Sequence, residues 1–209
     1  MTDEYFQGFL EDFGPAYDRR NVPESSIEAY RGRLPDQLLT YRREHGWCGY
    51  ADGLFWTVDP KEYEPALEAW IGDTRFMEID AYHLIACSAF GDLYFFGEKT
   101  GTSLQIVAPD AQAIYQSKPV RDLNQRVRSF FGARSRDGCD FTGAGGSLLF
   151  APALKKMGRL HHGLMYGFVP ALALGGPATL EHLKTVKAVE HLVLLAGLSE
   201  LRVMNALQI

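Results

Sequence analysis

Cysteine is scarce, with three in 209 residues, at positions 48, 87 and 139. Their number is odd, their spacing is wide and no Cys-x-x-Cys occurs, which excludes a disulfide framework and a zinc ribbon. Cys48 and Cys87 sit in apolar surroundings and are expected in the core as reduced thiols. Cys139, between Gly138 and Asp140, is the one thiol expected at the surface. Long hydrophobic runs are missing as well. A membrane-spanning helix needs roughly 20 apolar residues, and the nearest candidate, Leu192 to Leu198, is short and contains Gly197. The opening Met-Thr-Asp-Glu-Tyr is acidic where a secretory signal would be basic and then apolar, so a cytoplasmic chain with no membrane contact is expected. Internal repeats and low-complexity tracts are absent.

Catalytic signatures are lacking too. The six histidines are His45, His83, His161, His162, His182 and His191, and no His-x-x-x-His or His-Glu-x-x-His joins any two of them. His182 and His191, nine apart on one expected helix, fall on opposite faces, and the adjacent pair His161-His162 diverges. No Gly-x-Ser-x-Gly elbow is present. Gly97-Glu98-Lys99-Thr100-Gly101 has glutamate where a phosphate loop needs glycine, and reads as a charged hairpin turn. Gly143-Ala144-Gly145-Gly146-Ser147 could offer backbone N–H groups to an anion, although a plain flexible loop accounts for it as well. No cofactor, no metal and no enzymatic activity are expected.

What the chain does hold is apolar bulk: 46% hydrophobic and 12% aromatic residues. A chain of this size buries roughly 70% of the surface its unfolded form exposes, enough for a core without staples. Tyr5, Phe6, Phe9, Leu10 and Phe13 share a helix face over residues 3–13, ended by Gly14-Pro15. Ser25-Ser26-Ile27-Glu28 has the form of a capping box for a short helix to Arg31, and a third helix runs from near Pro35 to Gly46. Gly49 to Val58 reads as extended chain with a turn at Asp52-Gly53. Asp59-Pro60-Lys61-Glu62 predicts the start of a helix carrying Tyr63, Leu67, Trp70 and Ile71 inward.

Beyond residue 80 the period changes to two. Tyr82–Ala86, Leu93–Phe96 and Ser103–Val107 predict a three-stranded meander, with Ala113–Tyr115 as a further strand. Val120, Leu123, Val127, Phe130 and Phe131 then line a helix, residues 133–146 read as loop, and residues 147–157 as helix. Leu164–Leu174 reads as an extended apolar segment. The longest helix is predicted over 178–196, with Leu180, Leu183, Val186, Val189, Leu192 and Val193 as its buried stripe. The expected class is α+β: a helical N-terminus, an antiparallel β-sheet meander and a helical C-terminal part, joined near Gln116 to Pro119.

The net charge of −5 is unevenly spread. Residues 1–80 hold 17 acids and 8 bases, or −9, and residues 81–209 hold 9 acids and 13 bases, or +4. Such an N-terminal half repels nucleic acid and attracts a basic protein. Lys118, Arg121, Arg126, Arg128, Arg134 and Arg136 form a basic stretch, but Phe130 and Phe131 among them follow the apolar helix spacing, so a solvated face is the reading and no direct nucleic-acid contact is expected.

Several strings resemble a known family. Gly46-Trp47-Cys48-Gly49-Tyr50, Gly53-Leu54-Phe55-Trp56, Val58-Asp59-Pro60 and the run Ala89 to Gly101 look like the GAD-like domain of bacterial proteins. Met165 to Gly176, MYGFVPALALGG, is similar to the domain that follows it in type VI secretion immunity proteins. The corresponding parts are residues 1–117 and 118–209. The resemblance implies a non-enzymatic immunity protein that binds a cognate antibacterial toxin, in known cases a DNase, and it carries over no catalytic residue. The acids that could meet a basic toxin are Asp3, Glu4, Glu11, Asp12, Asp18, Glu24, Glu62, Glu64 and Glu68, any one of which is also explained by a solvated face. Two other classes stay open: a scaffold that self-associates through its C-terminal helices, its oligomeric state not legible, and a small-molecule or enzymatic domain using His83 or the loop 143–147.

Overall fold

Asp3 starts the structure by capping a helix whose inner face is aromatic. Its Oδ1 accepts from the backbone N–H groups of Tyr5 and Phe6, both at 3.1 Å, and α1 (Glu4–Phe13) buries Phe6, Phe9 and Phe13. The computed structural model describes residues 3–116 and 120–205. After α1 come β1 (Tyr17–Arg20), α2 (Glu24–Tyr30), α3 (Asp36–His45), β2 (Trp47–Tyr50), β3 (Phe55–Thr57), α4 (Glu64–Ile71) and α5 (Phe76–Ile79). The meander follows as β4 (Tyr82–Ser88), β5 (Asp92–Gly97), β6 (Gly101–Val107) and β7 (Gln112–Tyr115). The rest holds α6 (Leu123–Gly132), α7 (Arg136–Cys139), α8 (Phe150–Met157), β8 (Leu164–Phe168), β9 (Leu183–Lys187), α9 (Ala188–Ala196) and β10 (Arg202–Asn205).

The fold is α+β. β1 to β7 lie side by side in sequence order, every neighbouring pair antiparallel, and β10 closes the eight-stranded sheet by pairing parallel to β7. All of β4 is buried, which requires cover on both faces. On one face, Phe55 and Tyr94 meet Phe9, Phe13, Phe130 and Phe131 at ring separations between 5.5 and 6.4 Å. On the other, Cys87 lies 3.9 Å from the Tyr63 hydroxyl just ahead of α4, and α4 packs on α9. α6 bridges α1, α3 and β6.

Several expectations need correction. No capping box forms at 25–28: α2 begins at Glu24 behind Pro23 and has no side-chain cap. Asp59 does accept from Lys61 N–H at 3.0 Å, but the chain makes a tight turn over 60–63 before α4 starts at Glu64 with Pro65 in its first turn. The largest departure is at 178–196. Leu183-Lys184-Thr185-Val186-Lys187 leaves the helix and pairs antiparallel with β8, Phe168 opposite Leu183 and Leu164 opposite Lys187, so only Ala188–Ala196 is α-helix. Residues 136–139 form one helical turn inside the stretch read as loop, and the helix expected over 147–157 begins only at Phe150. The expected junction at 116–119 falls largely on Ser117–Pro119, outside the described residues, as does Lys118.

Gly46 ends α3 at φ +78°, a left-handed conformation that costs glycine little. A Cβ there would also overlap the Arg20 carbonyl oxygen of β1, so a bare backbone is needed for β1 to reach the sheet.

Candidate functional site

The nine acids are spread over α1, β1, α2, and the turn and helix that span 60–71. Three of them face a guanidinium already, and a fourth meets two histidines. Asp3 Oδ2 accepts from the Tyr41 hydroxyl and lies 3.7 Å from Arg128 Nε, tying α1 to α3 and α6. Glu62 accepts both guanidinium N–H groups of Arg20 at 2.7 Å, a bidentate pair that holds the Glu62 carboxyl below its usual range. Glu24 pairs with Arg43 at 2.9 Å. Asp18 has φ +48° and accepts from His162 N–H at 3.0 Å, with His161 Nδ1 at 3.3 Å. Burial would raise the Asp18 pKa, but these histidine contacts outweigh it and the net shift is downward.

The remaining five are Glu4, Glu11, Asp12, Glu64 and Glu68, all exposed, and no ion pair joins them among the described residues. Glu11 accepts from Gln7 Nε2 at 3.4 Å; at Asp12 it is the backbone carbonyl that takes the Arg136 Nε–H at 2.8 Å. The structure therefore brings Asp18 and Glu62 together around Arg20 and His162, and leaves the others apart.

Asp18 also anchors a connection that the sequence reading missed. Residues 159–162 lie across β1: Tyr17 donates its hydroxyl to Leu160 O at 2.9 Å, and Arg159 pairs with Asp52 while stacking 4.8 Å over the Tyr17 ring. These partners are more than 100 residues apart in sequence, so no local pattern marks them.

The catalytic alternatives fare poorly on geometry. His83 is 8% exposed, and its Nε2 bonds Glu98 at 2.8 Å while Arg33 holds the same carboxylate at 2.9 Å. Burial keeps the His83 pKa below the ordinary imidazole value, the Glu98 contact only partly opposing it. In the loop 143–147, Gly143 N–H goes to Ser147 O, Ala144 N–H to Ala178 O and Gly146 N–H to Gly143 O, so three amides are already spent. Cys139 is not exposed as expected: α7 turns it inward to 1% exposure beside the Tyr94 hydroxyl, and burial pushes its thiol up to about 11. Cys48 and Cys87 are buried, as expected. Among the described residues, no group of three or more His, Cys, Asp or Glu could hold a metal ion, and no helix is long and apolar enough to cross a membrane.

The chain is thus α+β with an acidic N-terminal half. Residues 4–110, just over half of the chain, match the GAD-like domain family, and the protein belongs to that family. Residues 124–199 match the C-terminal domain of the T6SS immunity protein Tdi1. Among solved structures, the chain is similar to Atu4351 from Agrobacterium tumefaciens, with a TM-score of 0.87 at 21% identity over 97% of this chain and 93% of that one. That likeness is one of fold. No curated protein matches the chain.

Proposed function

We propose that this protein is the immunity partner of a type VI secretion toxin, a DNase, which it binds stoichiometrically and neutralises without turnover. The observation that carries the reading is the match of residues 124–199 to the Tdi1 immunity domain. The distribution of charge supports it. A nuclease presents a basic groove to its substrate, and unpaired acids facing such a groove speed association and reject other partners. Glu4, Glu11, Asp12, Glu64 and Glu68 pair with no arginine among the described residues and contribute most; Asp3, Asp18, Glu24 and Glu62 are partly spent within the fold.

Co-expression with a nuclease toxin encoded beside this gene tests the reading: growth is restored by the wild type. Toxicity undiminished by the wild type, with no complex on mixing the purified proteins, overturns it. Reversing Glu4, Glu64 and Glu68 to lysine slows association about tenfold at low salt, with the difference closing as salt screens the charges. Equal rates at low salt refute the electrostatic part.

One observation favours a second reading, self-association: α9 leaves Leu194 54% exposed and Val193 39% exposed. A gel-filtration mass well above 23.4 kDa without toxin supports it, and a monomer removes it.

A further inference from the structure

Between α6 and strands β5–β7 lies a cleft of about 280 Å³, lined by Tyr94, Phe130 and Ile114 and by two arginines, Arg126 and Arg134. We propose that this cleft seats an acidic segment of the partner polypeptide, an aspartate or glutamate flanked by apolar residues. The identity of the partner as the toxin rests on the immunity reading; the chemistry of the seat does not.

Arg20, Arg31, Arg33, Arg43, Arg128 and Arg159 each have a carboxylate within 4 Å. Among the described residues Arg126 and Arg134 have none, as is true of Arg19, Arg42, Arg75, Arg121, Arg136 and Arg202, but these two line one recess together. Arg134 is fixed with its guanidinium 5.0 Å over the Tyr94 ring and 4.9 Å over Phe130, its Nε donating to Phe130 O at 3.2 Å. Both Nη groups are left without a described acceptor, and Asp92 feels their charge without bonding to it. Arg126 makes no described hydrogen bond or ion pair. The stem of Arg126 lies against Gly101, where the left-handed turn between β5 and β6 leaves room: a Cβ on Gly101 would come 3.3 Å from Arg126 Cγ.

A guanidinium fixed over two aromatic rings, with a second arginine lining the same cleft, makes a receptor for carboxylates, which guanidinium groups bind through paired N–H donors. The aromatic and aliphatic lining takes the body that carries the charge. A polypeptide fits better than a free anion because of what lies behind the cleft. Its wall, α6, also packs on α1, which bears Glu4 and Glu11. Both signs of charge thus border one helix, a pattern that selects a surface carrying the opposite pair and gives a free anion nothing more.

The test has two arms. In the first, a fluorescein-labelled peptide, Leu-Glu-Phe-Asp-Leu, is titrated with the full-length protein and followed by anisotropy. The wild type binds it; Arg126→Glu weakens binding at least about tenfold with an unchanged melting temperature, and Arg126→Gln falls between. Equal binding by Arg126→Glu, equal binding of the peptide with lysines in place of its acids, or full displacement by a few millimolar inorganic phosphate overturns the proposal. Arg134→Gln is a second variant, used where its melting curve matches the wild type.

In the second arm, the co-encoded toxin replaces the peptide. Arg126→Glu speeds dissociation about tenfold, whereas reversal of the acids slows association. A toxin that binds wild type and Arg126→Glu alike overturns the cleft proposal and leaves the immunity reading standing. A wild type that binds no toxin overturns the immunity reading, and the peptide arm alone then decides the cleft.

Discussion

Replacing Arg42 by methionine makes this protein more stable. Arg42 sits on α3 with 4% of its surface exposed, its guanidinium 5.2 Å over the Tyr30 ring. Neither Nη1 nor Nη2 has a hydrogen-bond partner among the described residues, and burial pushes its pKa down to about 10. Held charged at neutral pH, such a group costs about 3 kcal/mol relative to water. Stacking on Tyr30 returns about 1–2 kcal/mol. Methionine keeps the length of the stem and its apolar contacts while removing the charge and the unmade bonds. Substituting apolar residues for buried charges is neutral or stabilising by about 1–4 kcal/mol, and the terms here place Arg42→Met at a gain of about 1–2 kcal/mol. For a chain of this length that raises Tm by about 2–8 °C. Urea unfolding at pH 7, with the slope unchanged, measures the gain directly. A loss of more than 1 kcal/mol would refute the reasoning, because it would mean the guanidinium is well solvated in the fold.

Titration gives two further expectations of opposite sign. Burial pushes Asp92 up to about 7, so the fold keeps a proton there that the unfolded chain releases near 4, and the contribution of Asp92 falls as pH rises between these values. Asp92→Asn is therefore more stable than the wild type at pH 8, by up to about 4 kcal/mol, and equal to it near pH 4; an advantage independent of pH contradicts this. His45, His83, His162 and His191 are all held below the ordinary value by burial. They stay neutral in the fold and charge on unfolding, so their share of stability is present above about pH 6.5 and is lost as pH falls through the lower folded values. In the Asp92→Asn background Tm drops between pH 7 and 5, and a flat profile counts against it. Gly46→Ala combines a positive φ with overlap on the Arg20 carbonyl, and costs more than about 2 kcal/mol in chemical unfolding; a smaller loss would show that β1 can move.

Much of the fold was legible wherever one periodicity held without a rival. Leu93-Tyr94-Phe95-Phe96 and Ser103–Val107 between glycine turns could only be strands, and Phe6, Phe9 and Phe13 between Asp3 and Gly14 only a helix. Leu180, Leu183 and Val186 fitted helical spacing, yet Leu183–Lys187 also holds the β-branched pair Thr185-Val186, and the waiting edge of β8 decided for strand. β1 and β10 are short and carry charge or few apolar residues, and exist through their neighbours. For the site, the surplus of acids was visible, but which of them are neutralised was not. Arg20 and Glu62 are 42 positions apart, and the arginines of α6 look alike until Arg128 finds Asp3 and Arg126 finds no partner among the described residues.

β10 lies beyond the immunity-type region and yet completes the sheet of the GAD-like region, with Arg202 N–H donating to Ala111 O and Val203 registered on Ala113. The two halves are thus stitched rather than strung. A fragment cut after residue 116 would bare the hydrogen-bonding edge of β7 and strip α4 of the helix it leans on. Such a raw edge recruits whatever strand comes near, including its own copies. Shuffling of these modules between genes should therefore succeed only when the C-terminal strand travels with its sheet.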